Sequence, residues 1–353
     1  MKAAVYEGNH QITIKEGRIV TPKEHQVRLE IAYCGICGSD LHILNGTEDK
    51  RMKLPSIIGH ECSAIVAETG AGVTNLKKGD HVVVMPVKAC GVCRACREGF
   101  GHVCANLQVR GIETEGAFQY SWTVDADAVI KIPDSLDLKL AALAEPLSIC
   151  CHVVKRGGVK AGDYAVIIGG GPIGLMTALV AKSQGARTVI SEVNRNRLKK
   201  ARELGITAVN PIETDIREYV LQATDGSGAE VVFETSGSQA GVETMVLLPK
   251  VRGKIVLVAI YGKPMTVDLK QLYCYEKEIT TSRMQEKEDF EKAIDLLNRK
   301  EFDAYKMITS VLPITEIMQG FQRCADPEGK EVKVMIDCHM NEKPRQETTN
   351  IKN

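Results

Sequence analysis

The sequence contains no stretch of about 18 consecutive apolar residues, the least that spans a bilayer as a helix. Its first residues, MKAAVYEGNHQITIKEG, turn polar too early for a secretory signal. It carries no net charge, because 45 lysines and arginines balance 45 aspartates and glutamates. Basic residues are not interleaved with aromatic ones, so the field and the stacking surface that hold nucleic acid or anionic membrane are both missing. Internal repeats and low-complexity segments are absent too. These absences leave a cytoplasmic protein that meets small molecules, with neither nucleic acid nor membrane as a partner.

What is present is a chain of 353 residues, long enough that one hydrophobic core gives way to two domains. Up to residue 153 the apolar runs are short and bounded by glycine or charge, as in QVRLEIAYCG (26–35), CSAIVAETG (62–70) and GDHVVVMPV (79–87). From 154 the texture changes. YAVIIGG (164–170), TVISEV (188–193), EVVFETSG (230–237) and KIVLVAI (254–260) read as buried strands. LMTALVAKSQG (175–185) and RLKKARELG (197–205) read as the helices between them. That alternation predicts βαβ units on a parallel sheet. From 289 mixed elements return, with an amphipathic helix around FEKAIDLLNRK (290–300) and a polar, frayed tail, NEKPRQETTNIKN. The expected fold class is therefore α/β: a Rossmann doubly wound parallel sheet over 154–288, inserted into a β-rich domain built from 1–153 and 289–353.

VIIGGGPIG (166–174) carries Gly169-x-Gly171-x-x-Gly174 directly after a strand and at the start of a helix. In such a loop the first glycine makes the tight turn and the second admits a pyrophosphate to the backbone. The third lets helix and sheet pack closely, and the helix N-terminus faces the phosphates. Ile173 lies within this cofactor-binding loop. Glu192 follows Gly169 by 192 − 169 = 23 positions, where an acidic residue binds the ribose 2′-hydroxyl. A carboxylate there repels a 2′-phosphate and favours NAD over NADP, while Arg195 and Arg197 close behind it leave NADP open.

CGVCRACREGFGHVC places Cys90, Cys93, Cys96 and Cys104 in one lobe, about 88–106. Four thiolates on a short loop enclose a tetrahedral zinc with no open position, so this metal braces the loop and does not catalyse. Chemistry needs an open site. GICGSDLH (35–42), GHE (59–61) and AEPLS (144–148) supply Cys37, His60, Glu61 and Glu145, the mixture of sulfur, nitrogen and oxygen donors that a catalytic zinc uses. Spacing alone equally fits a core cysteine, a hydrogen-bonded buried histidine and solvated carboxylates.

Taken in order, GICGSDLH, GHE, the four-cysteine lobe, EPLS and GGGPIGL resemble the zinc-dependent medium-chain alcohol/polyol dehydrogenases, over nearly the whole chain up to about residue 338. EPLS followed by HVVKRGGVKAGD is most similar to the sorbitol dehydrogenase branch. The threonine dehydrogenase branch is close at GICGSDLH and in the lobe. The resemblance implies a GroES-like catalytic domain, NAD, one catalytic and one structural zinc, and a homodimer or homotetramer. It implies that Cys37 and His60 ligate catalytic zinc, with Glu61 and Glu145 doing so directly or through water, and that Asp40 orients His60. Ser39 and His42 match a proton relay, and Glu145 and Arg283, the latter in TSRMQ (281–285), face the substrate. The implied reaction passes hydride from a secondary alcohol to NAD. Two departures stand out: Met284 where the polyol enzymes have tyrosine, and Ile43 where a second aromatic often stands. Both make the pocket less polar and admit a shorter diol, an amino alcohol or an acidic sugar derivative in place of sorbitol. Threonine-type oxidation is the alternative enzyme reading, and a zinc-lobe interaction protein without catalysis is the alternative of another class.

Overall fold

The strand Gln26–Gly35 organises the first sheet, because its alternating Val27, Leu29 and Ile31 turn one face into the core. Glu61–Thr69 pairs along one side of it. The other side is shared by Ser121–Asp125 near its start and Lys333–Asp337 near its end. The last described strand thus lies within a sheet otherwise built largely from the first 131 residues, between Gln26–Gly35 and Ile308–Pro313, and the β-rich body takes material from both ends. A computed structural model describes residues 1–339; the polar tail NEKPRQETTNIKN lies outside the described residues. Lys2–Gly8 forms a smaller sheet with Gln11–Glu16 and Ser56–Ile57.

Six parallel strands make the second sheet, in the spatial order Thr207–Val209, Arg187–Ser191, Tyr164–Ile168, Ala229–Glu234, Pro249–Leu257 and Glu278–Thr281. All five residues of Tyr164–Ile168 are buried, as expected where helices cover both faces. Strand order reverses between Tyr164–Ile168 and Ala229–Glu234, which opens the crevice that binds ligands in such sheets. This is the doubly wound α/β arrangement expected from the alternating pattern.

Helix Ala144–Gly157 runs through the expected boundary at 153/154 and ends where Gly158 takes the left-handed conformation (φ 68°). Its apolar residues pack on Pro172–Ser183 and Lys287–Asn298, so it carries Glu145 out of the nucleotide-binding layer toward the β-rich body. Lys287–Asn298 itself begins two residues before the expected boundary at 289. GDHVVVMPV divides into His81–Val84 and Val87–Lys88. Pro86 interrupts the run, and the second piece pairs with Gln108–Val109 at the root of the cysteine lobe. Among the described residues no helix is long and apolar enough to cross a membrane.

Candidate active site

Cys37 stands in extended conformation just before the short helix Gly38–Leu44, and its N–H donates to Asp40 Oδ2 at 2.8 Å. His60 and Glu61 follow Gly59 at the start of Glu61–Thr69. The Cys37 Sγ, one His60 ring nitrogen and one Glu61 carboxylate oxygen all lie within 4.8 Å of one another. Soft, borderline and hard donors this close together are a donor set for zinc, and three protein ligands would leave a fourth position free. Asp40 is fully buried, and its Oδ1 faces His60 Nδ1 at 3.6 Å, with neither atom holding a nearer partner. Ser39 Oγ lies 3.4 Å from the other ring nitrogen, Nε2.

Glu145 is buried in the first turn of Ala144–Gly157 and accepts a hydrogen bond from Gln285 Nε2 at 3.0 Å. It stands outside the tight group formed by the other three. Burial pushes its carboxyl up to about 7, against the pull of His60, while Glu61 adds to the rise. Burial likewise raises Asp40 to about 6, against His60 and the Cys37 N–H. For His60 burial acts downward, but Asp40 and then Cys37 outweigh it, and its pKa lies well above the usual histidine value.

Two further residues of this site, Lys333 and Gln285, carry no signal in the sequence. Lys333 is buried and donates to Glu61 Oε1 (2.8 Å) and Oε2 (2.6 Å) and to the Ile36 carbonyl (3.2 Å). Strand register explains the meeting: Gly35 lies opposite both Glu61 and Met335. A Cβ at Gly35 would collide with the Glu61 carboxylate, so glycine opens the gap through which lysine and glutamate pair. Gln285 is the second, one residue beyond Met284. Nothing in the spacing of either distinguishes it from a surface side chain.

The other expected residues divide. Arg283 is exposed, with no hydrogen bond or ion pair to any described residue, and His42 is exposed on its helix. Ile43 is fully buried in the core of the β-rich body, so its apolar side chain serves packing. Met284 is half-buried against that same core.

In the lobe the four sulfurs also lie within 4.8 Å of one another. Cys93 and Cys96 are 3.4 Å apart, Cys93 and Cys104 3.8 Å, and Cys90 and Cys96 4.0 Å. A tetrahedral zinc with Zn–S bonds of about 2.3 Å needs about 3.8 Å between sulfurs, so this cage fits the ion. Backbone N–H groups turn toward it, from Cys93 to Cys90 Sγ (3.4 Å) and from Asn106 to Cys104 Sγ (3.2 Å). Such donors from Val92 and Cys93 bring Cys90 down to about 6. Burial, and then the neighbouring sulfurs, push Cys96 up to about 12. Ionised together, four thiolates so close would repel one another unless a cation lay between them.

The glycine loop fits a dinucleotide. Gly169 takes φ 102°, and a Cβ on Gly174 would strike the Gly169 carbonyl. Nothing lies within 4 Å of the place a Gly171 Cβ would fill, which leaves open space at the N-terminus of Pro172–Ser183. Glu192 accepts from the N–H groups of Gly170 (2.5 Å), Val193 (2.8 Å) and Asn194 (2.7 Å), so its carboxylate sits at the mouth of the loop. Arg197 Nη1 approaches it to 3.9 Å. Ile173 lies in the first turn of the helix, half-buried against the core.

Comparison with known proteins agrees with this geometry. Residues 23–134 match the alcohol dehydrogenase GroES-like domain, and residues 172–299 match the zinc-binding dehydrogenase family. The chain is 44% identical over 340 residues to 2-dehydro-3-deoxy-L-galactonate 5-dehydrogenase of Pseudoalteromonas atlantica, covering 96% of this chain and 99% of that protein. It is 33% identical over 343 residues to sorbitol dehydrogenase of Halalkalibacterium halodurans, covering 95% and 99%. Among solved structures, a zinc-binding dehydrogenase from Sinorhizobium meliloti 1021 bound to NADP superposes with a TM-score of 0.89 at 29% identity, over 95% of this chain and 98% of that one. An alcohol dehydrogenase from Escherichia coli CFT073 complexed with NADH gives 0.88 at 29% identity, over 96% and 99%.

A GroES-like body, a doubly wound sheet with its glycine loop and a three-donor pocket define a zinc- and nucleotide-dependent dehydrogenase. The chain belongs to the zinc-dependent medium-chain alcohol/polyol dehydrogenase family. It is an NAD(P)-linked oxidoreductase that acts on a small secondary alcohol.

Proposed function

We propose that the protein oxidises a secondary hydroxyl of an acidic sugar derivative with NAD, in the cytoplasm, where thiol ligands stay reduced. Cys37, His60 and Glu61 hold one zinc, with Glu145 facing its open side, and Cys90, Cys93, Cys96 and Cys104 hold a second. The observation that carries the reading is the three-donor group within 4.8 Å, backed by two buried carboxyl groups, Asp40 and Glu145. Bound zinc supplies Lewis-acid chemistry that eases loss of an alcohol proton, and bound NAD supplies the hydride acceptor.

The chain's own groups do the rest. Asp40 faces the back of the His60 ring and fixes its orientation. Lys333 holds Glu61 in place through both oxygens. Ser39, 3.4 Å from His60 Nε2, takes the leaving proton toward exposed His42 and solvent. Burial of Asp40, His60, Glu61 and Glu145 keeps bulk water from the reacting atoms.

Two features support an acidic substrate. Arg283 offers a cation with no partner among the described residues, two positions from the glutamine that touches Glu145. Identity to the sugar-acid dehydrogenase, 44%, exceeds the 33% to the sorbitol enzyme. A screen of NAD reduction across sorbitol, butanediols, L-threonine and 2-dehydro-3-deoxy-sugar acids tests it. The sugar acid is expected to exceed sorbitol and threonine in kcat/KM by about ten-fold or more, the worth of one charged hydrogen bond. Faster turnover of sorbitol or threonine would sink the substrate assignment.

For the cofactor, the Glu192 carboxylate, held at the glycine loop by the N–H groups of Gly170 and Asn194, supports NAD, because a 2′-phosphate brought beside it would meet like charge at a cost of several kcal/mol. Glu192→Ala is expected to shift the ratio of kcat/KM values toward NADP by about ten-fold or more. An unchanged ratio removes the ribose role. A homo-oligomer completes the proposal. Among the described residues Glu278–Thr281 is an edge strand of the parallel sheet, with no strand on its outer side, and Ile260 (85% exposed) and Tyr273 (87%) are exposed apolar side chains of the nucleotide-binding domain.

A further inference from the structure

We infer that Gln285 is a positioning residue for the catalytic carboxylate, aiming Glu145 at the open side of the three-donor site. The inference rests on the reading that Cys37, His60 and Glu61 hold the ion. Three observations at one point of the chain carry it.

The first is the contact. Gln285 Nε2 donates to Glu145 Oε1 at 3.0 Å across 140 residues of sequence, and it is the one described side chain that donates to this carboxylate. The second is that the amide is turned at a cost. Gln285 is 1% exposed, and its own Oε1 is buried with no partner. Against the ionised Glu145, a rotated amide would set oxygen against oxygen, so the NH₂ group turns to the carboxylate and Oε1 has no partner among the described residues. An unpaired buried acceptor in a native structure calls for such a reason.

The third is the backbone. Met284 adopts φ 55°, the left-handed region, although it carries a long side chain. That bend separates exposed Arg283 from buried Gln285. The next residue is then pinned from two sides. Glu286 receives Lys155 Nζ at 2.6 Å, from the helix that also bears Glu145, and faces His102 Nδ1 at 3.4 Å from the cysteine lobe. Its N–H donates to Asp289 Oδ2 at 2.9 Å, which starts Lys287–Asn298. Asp289 is itself bonded to His152 Nδ1 at 2.8 Å. Gln285 therefore hangs from a fixed strap, and the place of the Glu145 carboxyl follows from it. Carboxylates around a metal are held by such neighbours, whose loss weakens activity or metal binding by about 10- to 100-fold.

The test is Gln285→Met, which keeps the volume and removes the donor, in protein carrying zinc in the lobe and cobalt at the Cys37–His60 site. Expected are altered visible cobalt bands, a kcat/KM lower by about 10- to 100-fold, and an unchanged lobe zinc. Gln285→Asn, which keeps the amide on a shorter arm, is expected to fall between and stands in should the methionine variant not fold. Cobalt bands and kinetics identical to wild type in both variants would overturn the inference while leaving the metal site intact. Wild-type protein that takes cobalt in the lobe alone would overturn the metal reading, and this inference with it.

Discussion

Cys37→Ala is expected to lower kcat/KM by about 10³-fold or more, while the protein stays folded and loses one zinc per chain. Cys37 is the only sulfur in the three-donor group, and His60 with Glu61 alone do not enclose an ion. Zinc contributes several kcal/mol of charge stabilisation to such reactions, and each 1.36 kcal/mol is a factor of ten. Two bonds cap this turn: the Cys37 N–H donates to Asp40 Oδ2 and survives in alanine, while the thiol's weak acceptance from the Asp40 N–H is lost, a small cost to the fold. Steady-state kinetics, zinc content and a melting curve on one preparation check the three parts. Full turnover with one zinc fewer would remove Cys37 from the site.

Lys333→Met is expected to destabilise the protein by about 3–5 kcal/mol, the usual result of stripping one partner from a buried ion pair. Glu61 would keep its charge in a pocket where it is 1% exposed, and the Ile36 carbonyl would lose its donor as well. Burial acts to lower the Lys333 pKa, but Glu61, Cys37 and Glu145 together outweigh it and the net shift is upward. A raised lysine pKa contributes stability that is fully present below the unfolded value, about 10.4, and is lost as pH rises through the folded value. The lysine's share should thus stay constant through neutral pH and fade only in strong alkali. Urea unfolding of wild type and variant between pH 6 and about 10 reads this directly. A variant within about 1 kcal/mol of wild type would show that Glu61 does not depend on the lysine.

What could be read from the sequence was local. The glycine loop, Glu192 at the end of its strand and the four lobe cysteines are patterns within short windows, and the buried strands of a parallel sheet are continuous apolar runs. Cys37, His60, Glu61 and Glu145 could be named, but which of them share a centre could not, because strand register and the course of Ala144–Gly157 decide it. The structure brings the first three within 4.8 Å and sets Glu145 beside them. The 153/154 boundary fell inside a helix because no breaker interrupts the chain before Gly157 and Gly158. Lys333 lay in a strand, KVMID, where a lysine reads as an exposed edge charge until the gap at Gly35 is seen. Gln285 depends on a left-handed turn at Met284, a conformation that methionine does not advertise. Ile43, read as part of a substrate pocket, is instead consumed by the core.

The central claim is that a metal held by Cys37, His60 and a carboxylate is required for the alcohol to be oxidised. Zinc counted per chain, with NADH formation followed as a chelator removes the metal and as zinc is returned, tests it most directly. The account predicts two zincs per chain, activity lost in step with the first to leave, and recovery when it is restored. Undiminished oxidation by protein stripped of that zinc would contradict it.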